Sequence, residues 1–121
     1  MKGILLFGHG ARNPAWRIPF ETIRQKIQGT NANVLVELGL LGLLAPSFEE
    51  GRSSLAGQGA THITVVPVFI AGGGHVLIDL PNLIASILQR FAGLTIHVAS
   101  PVGESDAVLD AMARYAVNSA G

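Results

Sequence analysis

Apolar residues along this chain follow two rhythms. Residues 2–8, 33–38, 62–69 and 94–98 are short, nearly unbroken apolar runs, rich in Val, Ile, Leu and Phe. They are too brief for helices and are bounded by Gly, Pro or polar residues, the pattern of strands buried on both faces. Between them apolar positions recur at three- and four-residue steps. Trp16, Phe20, Ile23 and Ile27 line one helical face that closes near Gly29, and the same spacing places Trp16 and Phe91 in the core. Pro46-Ser47, with Glu49 and Glu50 behind it, reads as a helix start, and Gly57 and Gly59 as its stop. Residues 70–76 read as a loop, after which Asp79 before Pro81 reads as the cap of a helix carrying Leu83, Ile84, Ile87, Leu88 and Phe91. A last helix over 104–118 puts Val108, Leu109, Met112 and Ala116 on one face. Pro67 removes a ladder donor and so belongs near a strand end.

Strand and helix alternate four times with short connections. That order predicts an α/β fold: one domain over residues 1–121, in three layers, with a four-stranded parallel sheet and helices on both faces.

Composition narrows the function. Eight basic and eight acidic residues give a formal charge of zero, and no Lys/Arg cluster is present to meet nucleic-acid phosphates. Without cysteine there is no disulfide and no thiolate metal site, so a metal would rely on imidazole, carboxylate or water. No apolar run is long enough for a signal peptide or a bilayer span, which makes a soluble cytoplasmic protein the expectation. Charged residues make up 13% of the chain, against a usual ~25%. A folded monomer of this size exposes roughly 6,000 Å², so part of that surface is expected to be covered by another subunit.

Ligands of open parallel sheets bind beyond the carboxyl ends of the strands. The polar groups expected there are His9 after the first strand, Glu37 near the end of the second, His75 after the third, and the Pro101-Val102-Gly103 turn after the fourth. In a 2-1-3-4 strand order, His9 and His75 emerge side by side. Both lie among glycines, in Gly8-His9-Gly10 and Gly72-Gly73-Gly74-His75, which leave room for a bulky ligand to reach the backbone. Two readings of Glu37 stand together: a site carboxylate, or a half-exposed acid paired with an arginine. Arg12 either meets an anionic substrate or is solvated, and His62 and His97 read as structural. The chain has no phosphate-binding glycine loop, no H-E-x-x-H and no nucleophile elbow.

These segments resemble a known family. Gly8-His-Gly-Ala-Arg-Asn-Pro14, Val36-Glu-Leu-Gly-Leu-Leu with Pro46-Ser47 beyond it, Gln58-Gly-Ala before Val65-Val-Pro-Val-Phe69, Gly73-Gly-His-Val-Leu-Ile-Asp-Leu-Pro81 and Pro101-Val-Gly103 occur in the order seen in short-form sirohydrochlorin chelatases. The resemblance implies a flavodoxin-like, chelatase-type domain that inserts cobalt, iron or nickel as a divalent ion into a reduced tetrapyrrole, with no further cofactor. It places the metal on His9 and His75, gives Glu37 a charge-balancing or proton-relaying role, and puts Gly10, Arg12, Gly73 and Gly74 against the substrate. It also implies a homodimer, with no nucleic-acid or membrane partner. The chain departs from the family where acids are common, at Gly42 and Ala45, and where bases are common, at Leu77 and Ile78. Arg12, Arg17 and Arg52 are then left to meet the substrate's carboxylates. A chelatase for another tetrapyrrole, or a carrier that binds metal or tetrapyrrole without turnover, are the alternatives.

Overall fold

The four apolar runs form β1 (Lys2–His9), β2 (Leu35–Leu41), β3 (His62–Pro67) and β4 (Thr95–Val98) in a computed structural model that describes residues 1–9, 14–41, 45–70 and 75–121. All pair in parallel, in the order β2-β1-β3-β4. The helices are α1 (Ile18–Thr30), α2 (Phe48–Gly57), α3 (His75–Arg90) and α4 (Asp106–Ser119). This is the expected α/β architecture, and Pro67 is the last residue of its strand.

Successive side chains of a strand point to opposite faces, so β1 feeds two cores. Leu5 and Phe7 join Ile63 and Val65 under α2 and α3, where Phe48, Leu55, Leu80, Ile84 and Ile87 cover them. The Phe7 ring meets Phe48 and Phe69 edge-on, at 5.7 and 5.8 Å between centroids. Leu6, Val36, Leu38 and Leu40 face the other way, under Phe20 of α1, with Ile4, Ile23, Ile27 and Val66 around them. At the outer strand, Arg24 reaches from α1 to donate from Nε to the Val36 carbonyl at 3.0 Å. That contact occupies a polar group that an edge strand leaves unpaired.

β3 ends at Pro67 rather than residue 69, and three larger differences from the sequence reading stand out. β2 starts later than residue 33 and runs on to Leu41. α3 begins at His75, which makes Asp79 and Pro81 interior residues rather than a cap and first turn. The Asp-x-Pro pattern mimics a helix start, but burial of Leu80 one turn before Ile84 draws the helix back toward the glycines, and this outweighs the donor that Pro81 lacks. Trp16 lies in a 3-10 turn, Pro14–Arg17, ahead of α1 and is exposed, so the buried stripe of α1 starts at Phe20. Phe91 is likewise partly exposed, at the end of α3. α2 opens as its sequence dictates. The Ser47 hydroxyl accepts from the Glu50 N–H at 3.1 Å, and the Ser47 N–H donates to Glu50 Oε1 at 3.0 Å.

α4 is the exception to the layering. None of its residues is buried, and it runs on from the 3-10 turn Val102–Glu104 with its apolar stripe open.

Candidate functional site

The carboxyl ends of the two central strands meet at one rim. β1 ends at His9, opposite Leu41 of β2. On its other side Phe7 pairs with Pro67, and the Val68 N–H donates to the Phe7 carbonyl at 2.8 Å. The chain leaving β3 is then held by the turn after β4, where the Gly103 N–H donates to the Phe69 carbonyl at 2.9 Å. His75 opens α3, the helix that follows β3. The backbone of His9 is thus the end of a strand and that of His75 the start of a helix, where the sequence suggested loops. The two imidazoles lie outside the described residues, as do Gly10, Arg12, Gly73 and Gly74. Gly8, just before His9, has no room for a larger residue, because a Cβ there would overlap the Phe20 ring.

Sequence reasoning did not find a collar of apolar side chains around this rim. Trp16 and Ile18 follow β1, Ile70 follows β3 and Ile78 stands in the first turn of α3; all are 58–69% exposed. Large apolar groups left in water around a rim mark a surface built to be covered. The available signal was their position flanking the glycine-rich segments, which the helical-stripe reading of Trp16 obscured.

Glu37 is not at this rim. It pairs with Leu5, while the end of β2 pairs with His9. Four residues of strand separate Glu37 from that level, roughly 13 Å. Both its oxygens are engaged: Arg24 Nη2 lies 2.8 Å from Oε1, and the Ser54 hydroxyl donates to Oε2 at 2.6 Å. The arginine-paired reading is the one its surroundings match.

The arginines expected to meet substrate carboxylates are also committed elsewhere. Arg52 is buried, holds Glu49 through Nε and Nη2 at 2.9 and 2.7 Å, and lies 4.1 Å over the Phe91 ring. Those hydrogen bonds hold the Glu49 carboxyl below its ordinary range; burial opposes them and the Arg52 and Arg90 charges assist. Arg17 sits beside the rim but bonds Glu21 at 3.1 Å. Ala45, one of the positions without the family acid, is exposed, and Gly42 lies outside the described residues. His62 and His97 belong to the opposite end of the sheet: His62 pairs with Lys2 and Thr95, and His97 with Thr64. Among the described residues no three His, Asp or Glu side chains come together as a metal cage.

The family model described as CbiX matches residues 3–118. The chain belongs to the CbiX family. Among CbiX relatives, the sirohydrochlorin cobaltochelatase of Methanosarcina acetivorans is 30% identical over 116 residues, spanning 89% of this chain and 88% of that protein. The chain spans 61% of the sirohydrochlorin cobaltochelatase of Methanocaldococcus jannaschii, at 34% identity. Of solved structures, the putative cobalamin biosynthesis CbiX protein of Marinobacter aquaeolei superposes with a TM-score of 0.79 at 28% identity, over 98% of this chain and 96% of that one. The sirohydrochlorin chelatase SirB of Bacillus subtilis subspecies spizizenii, in complex with cobalt, gives 0.74 at 28% identity. There the match covers 87% of this chain and only 45% of SirB. The match therefore takes in most of the Methanosarcina and Marinobacter proteins and less than half of SirB.

Proposed function

We propose that this CbiX chain inserts divalent cobalt or iron into sirohydrochlorin, with His9 and His75 as the groups that receive the metal. The observation that supports the reading is that β1 ends at His9 and that His75 opens the helix following β3, the strand adjacent to β1, at the carboxyl end of the sheet. The exposed Trp16, Ile18, Ile70 and Ile78 around that rim suit the flat apolar face of a macrocycle. The relatives named sirohydrochlorin cobaltochelatase and the cobalt complex of SirB support the choice of substrate and ion.

The chemistry follows from the donors. Neutral imidazole suits first-row divalent ions, and two protein ligands leave positions for water and incoming pyrrole nitrogens. As the ion passes to the ring, two pyrrole N–H protons leave. The two imidazoles, once they no longer hold the metal, can each accept one of these protons and pass it to solvent. Glu37 takes a supporting part by fixing β2 through Arg24 and Ser54. Gly10, Gly73 and Gly74 give the ring access to the backbone, and Arg12 meets its carboxylates. Two copies of the chain act together, in keeping with a match that covers 45% of SirB.

The test is a multiple-turnover assay with sirohydrochlorin and with a simpler porphyrin, each against Co²⁺, Fe²⁺ and Ni²⁺. Metallated sirohydrochlorin in excess of one equivalent per chain is the expected result. Binding that stops at one equivalent identifies a carrier instead, and turnover of the porphyrin alone identifies a different tetrapyrrole.

A further inference from the structure

The two histidines that the proposed reaction leaves out come together toward the amino end of the sheet. His62 of β3 pairs with Thr95 of β4, and Thr64 pairs with His97. Alternate strand residues share a face, so His62 and His97 stand on one face, across a diagonal from each other. A strand spacing of ~4.8 Å and a rise of ~3.3 Å per residue put their Cα atoms roughly 8 Å apart, a separation that two imidazoles sharing an ion can span. Both residues are exposed, and they line a pocket of about 250 Å³ with Lys2, Ile63, Thr64 and Thr95.

Neither imidazole belongs to a core, and among the described residues no carboxylate lines the pocket to pair with them. The Thr61 hydroxyl lies 3.1 Å from His62 Nδ1. A ring that donates from Nδ1 to that hydroxyl keeps the Nε2 lone pair for a ligand, which is how an outer partner orients a metal-bound imidazole. β1 rises about 23 Å between Lys2, opposite His62, and His9 at the rim, so this pocket shares no ligand with the rim.

We propose that His62 and His97 hold a first-row divalent cation, with water completing its coordination, at a site separate from the rim. Neutral imidazole suits cobalt, nickel, copper or zinc, and a pocket without carboxylates offers little to calcium or magnesium. The Thr64 and Thr95 hydroxyls stand beside the imidazoles as acceptors for the ion's waters. Lys2 works against the ion, because it lines the same pocket and its ammonium repels a cation. Its flexible stem lets that charge turn out to water, so Lys2 lowers affinity without closing the site. An oxyanion, the opposite class of ligand, would be helped by Lys2, and the sign of a Lys2 effect separates the two. The site needs no tetrapyrrole and stands independently of the functional reading above.

The chain has four histidines, so the full-length, untagged variant His9→Ala/His75→Ala keeps only this pair. Equilibrium dialysis of that variant against Co²⁺ should show one ion per chain, and paramagnetic broadening should reach the ring protons of both His62 and His97. Adding His62→Ala or His97→Ala should weaken binding by at least the ~10-fold typical of losing a partner of a metal ligand, and adding Lys2→Gln should strengthen it. Absence of bound Co²⁺, or an affinity unmoved by either alanine, overturns the proposal. A pocket that takes inorganic phosphate, loses it in Lys2→Gln and leaves Co²⁺ free is an anion site, which overturns it as well. Co²⁺ held here by a chain whose unmodified form metallates nothing refutes only the chelatase reading.

Discussion

The backbone of Gly103 lies flat against that of Ile70, close enough that any side chain at Gly103 would collide with the Ile70 carbonyl. This contact joins the turn after β4 to the segment leaving β3, and with it the base of α4 to the rim. Gly103→Ala should lower stability by about 1–3 kcal/mol, read as a shift of the urea midpoint. An unshifted midpoint would show that the two segments separate freely.

The proposed function rests on the imidazoles of His9, the last residue of β1, and His75, the first of α3. His9→Ala and His75→Ala should each reduce metal insertion at least about 100-fold while changing stability by no more than ~0.5 kcal/mol. Protonation removes imidazole as a ligand, so insertion by the unmodified chain should fall as the solution is acidified. A rate that stays flat down to pH 5 rules out imidazole ligation.

Glu37 offers a contrast between anchoring and catalysis. In Glu37→Gln the amide still bonds Ser54 but loses the charge facing Arg24. The expected cost is about 0.5–1.5 kcal/mol of stability, with turnover per folded chain unchanged. A loss of turnover without a loss of stability would instead assign Glu37 to proton relay.

Glu49 sets an acid limit on stability. Its carboxyl is held below the ordinary range by Arg52, so its favourable contribution is complete above the unfolded value of about 4.3 and fades as pH falls through the lowered folded value. Glu49→Gln should flatten the decline of Tm between about pH 5 and pH 3. An unchanged decline would place the acid sensitivity in another carboxylate.

Ile78 is an exposed apolar residue in the first turn of α3, where the family resemblance implied a base. Ile78→Lys should lower KM for carboxylate-rich sirohydrochlorin several-fold and leave a porphyrin without peripheral acids unaffected, because one added cation acts only on the charged substrate. Equal shifts for both substrates would mean that the position reads ring shape rather than charge.

Hydrophobic rhythm alone determined the four strands, their alternation with helices, the α/β class and the rim on which His9 and His75 fall. Each of those follows from local periodicity and from the rule that parallel strands open their sites at one end. Tertiary packing decided the rest. Burial of Leu80 drew α3 back to His75 past a convincing false cap, and α1 began too late to bury Trp16. Arg24 and Arg52 found Glu37 and Glu49, turning a candidate catalytic acid and a candidate substrate base into struts. A lone chain shows which residues carry charge or apolar surface. Which of them find partners depends on contacts between segments far apart in sequence.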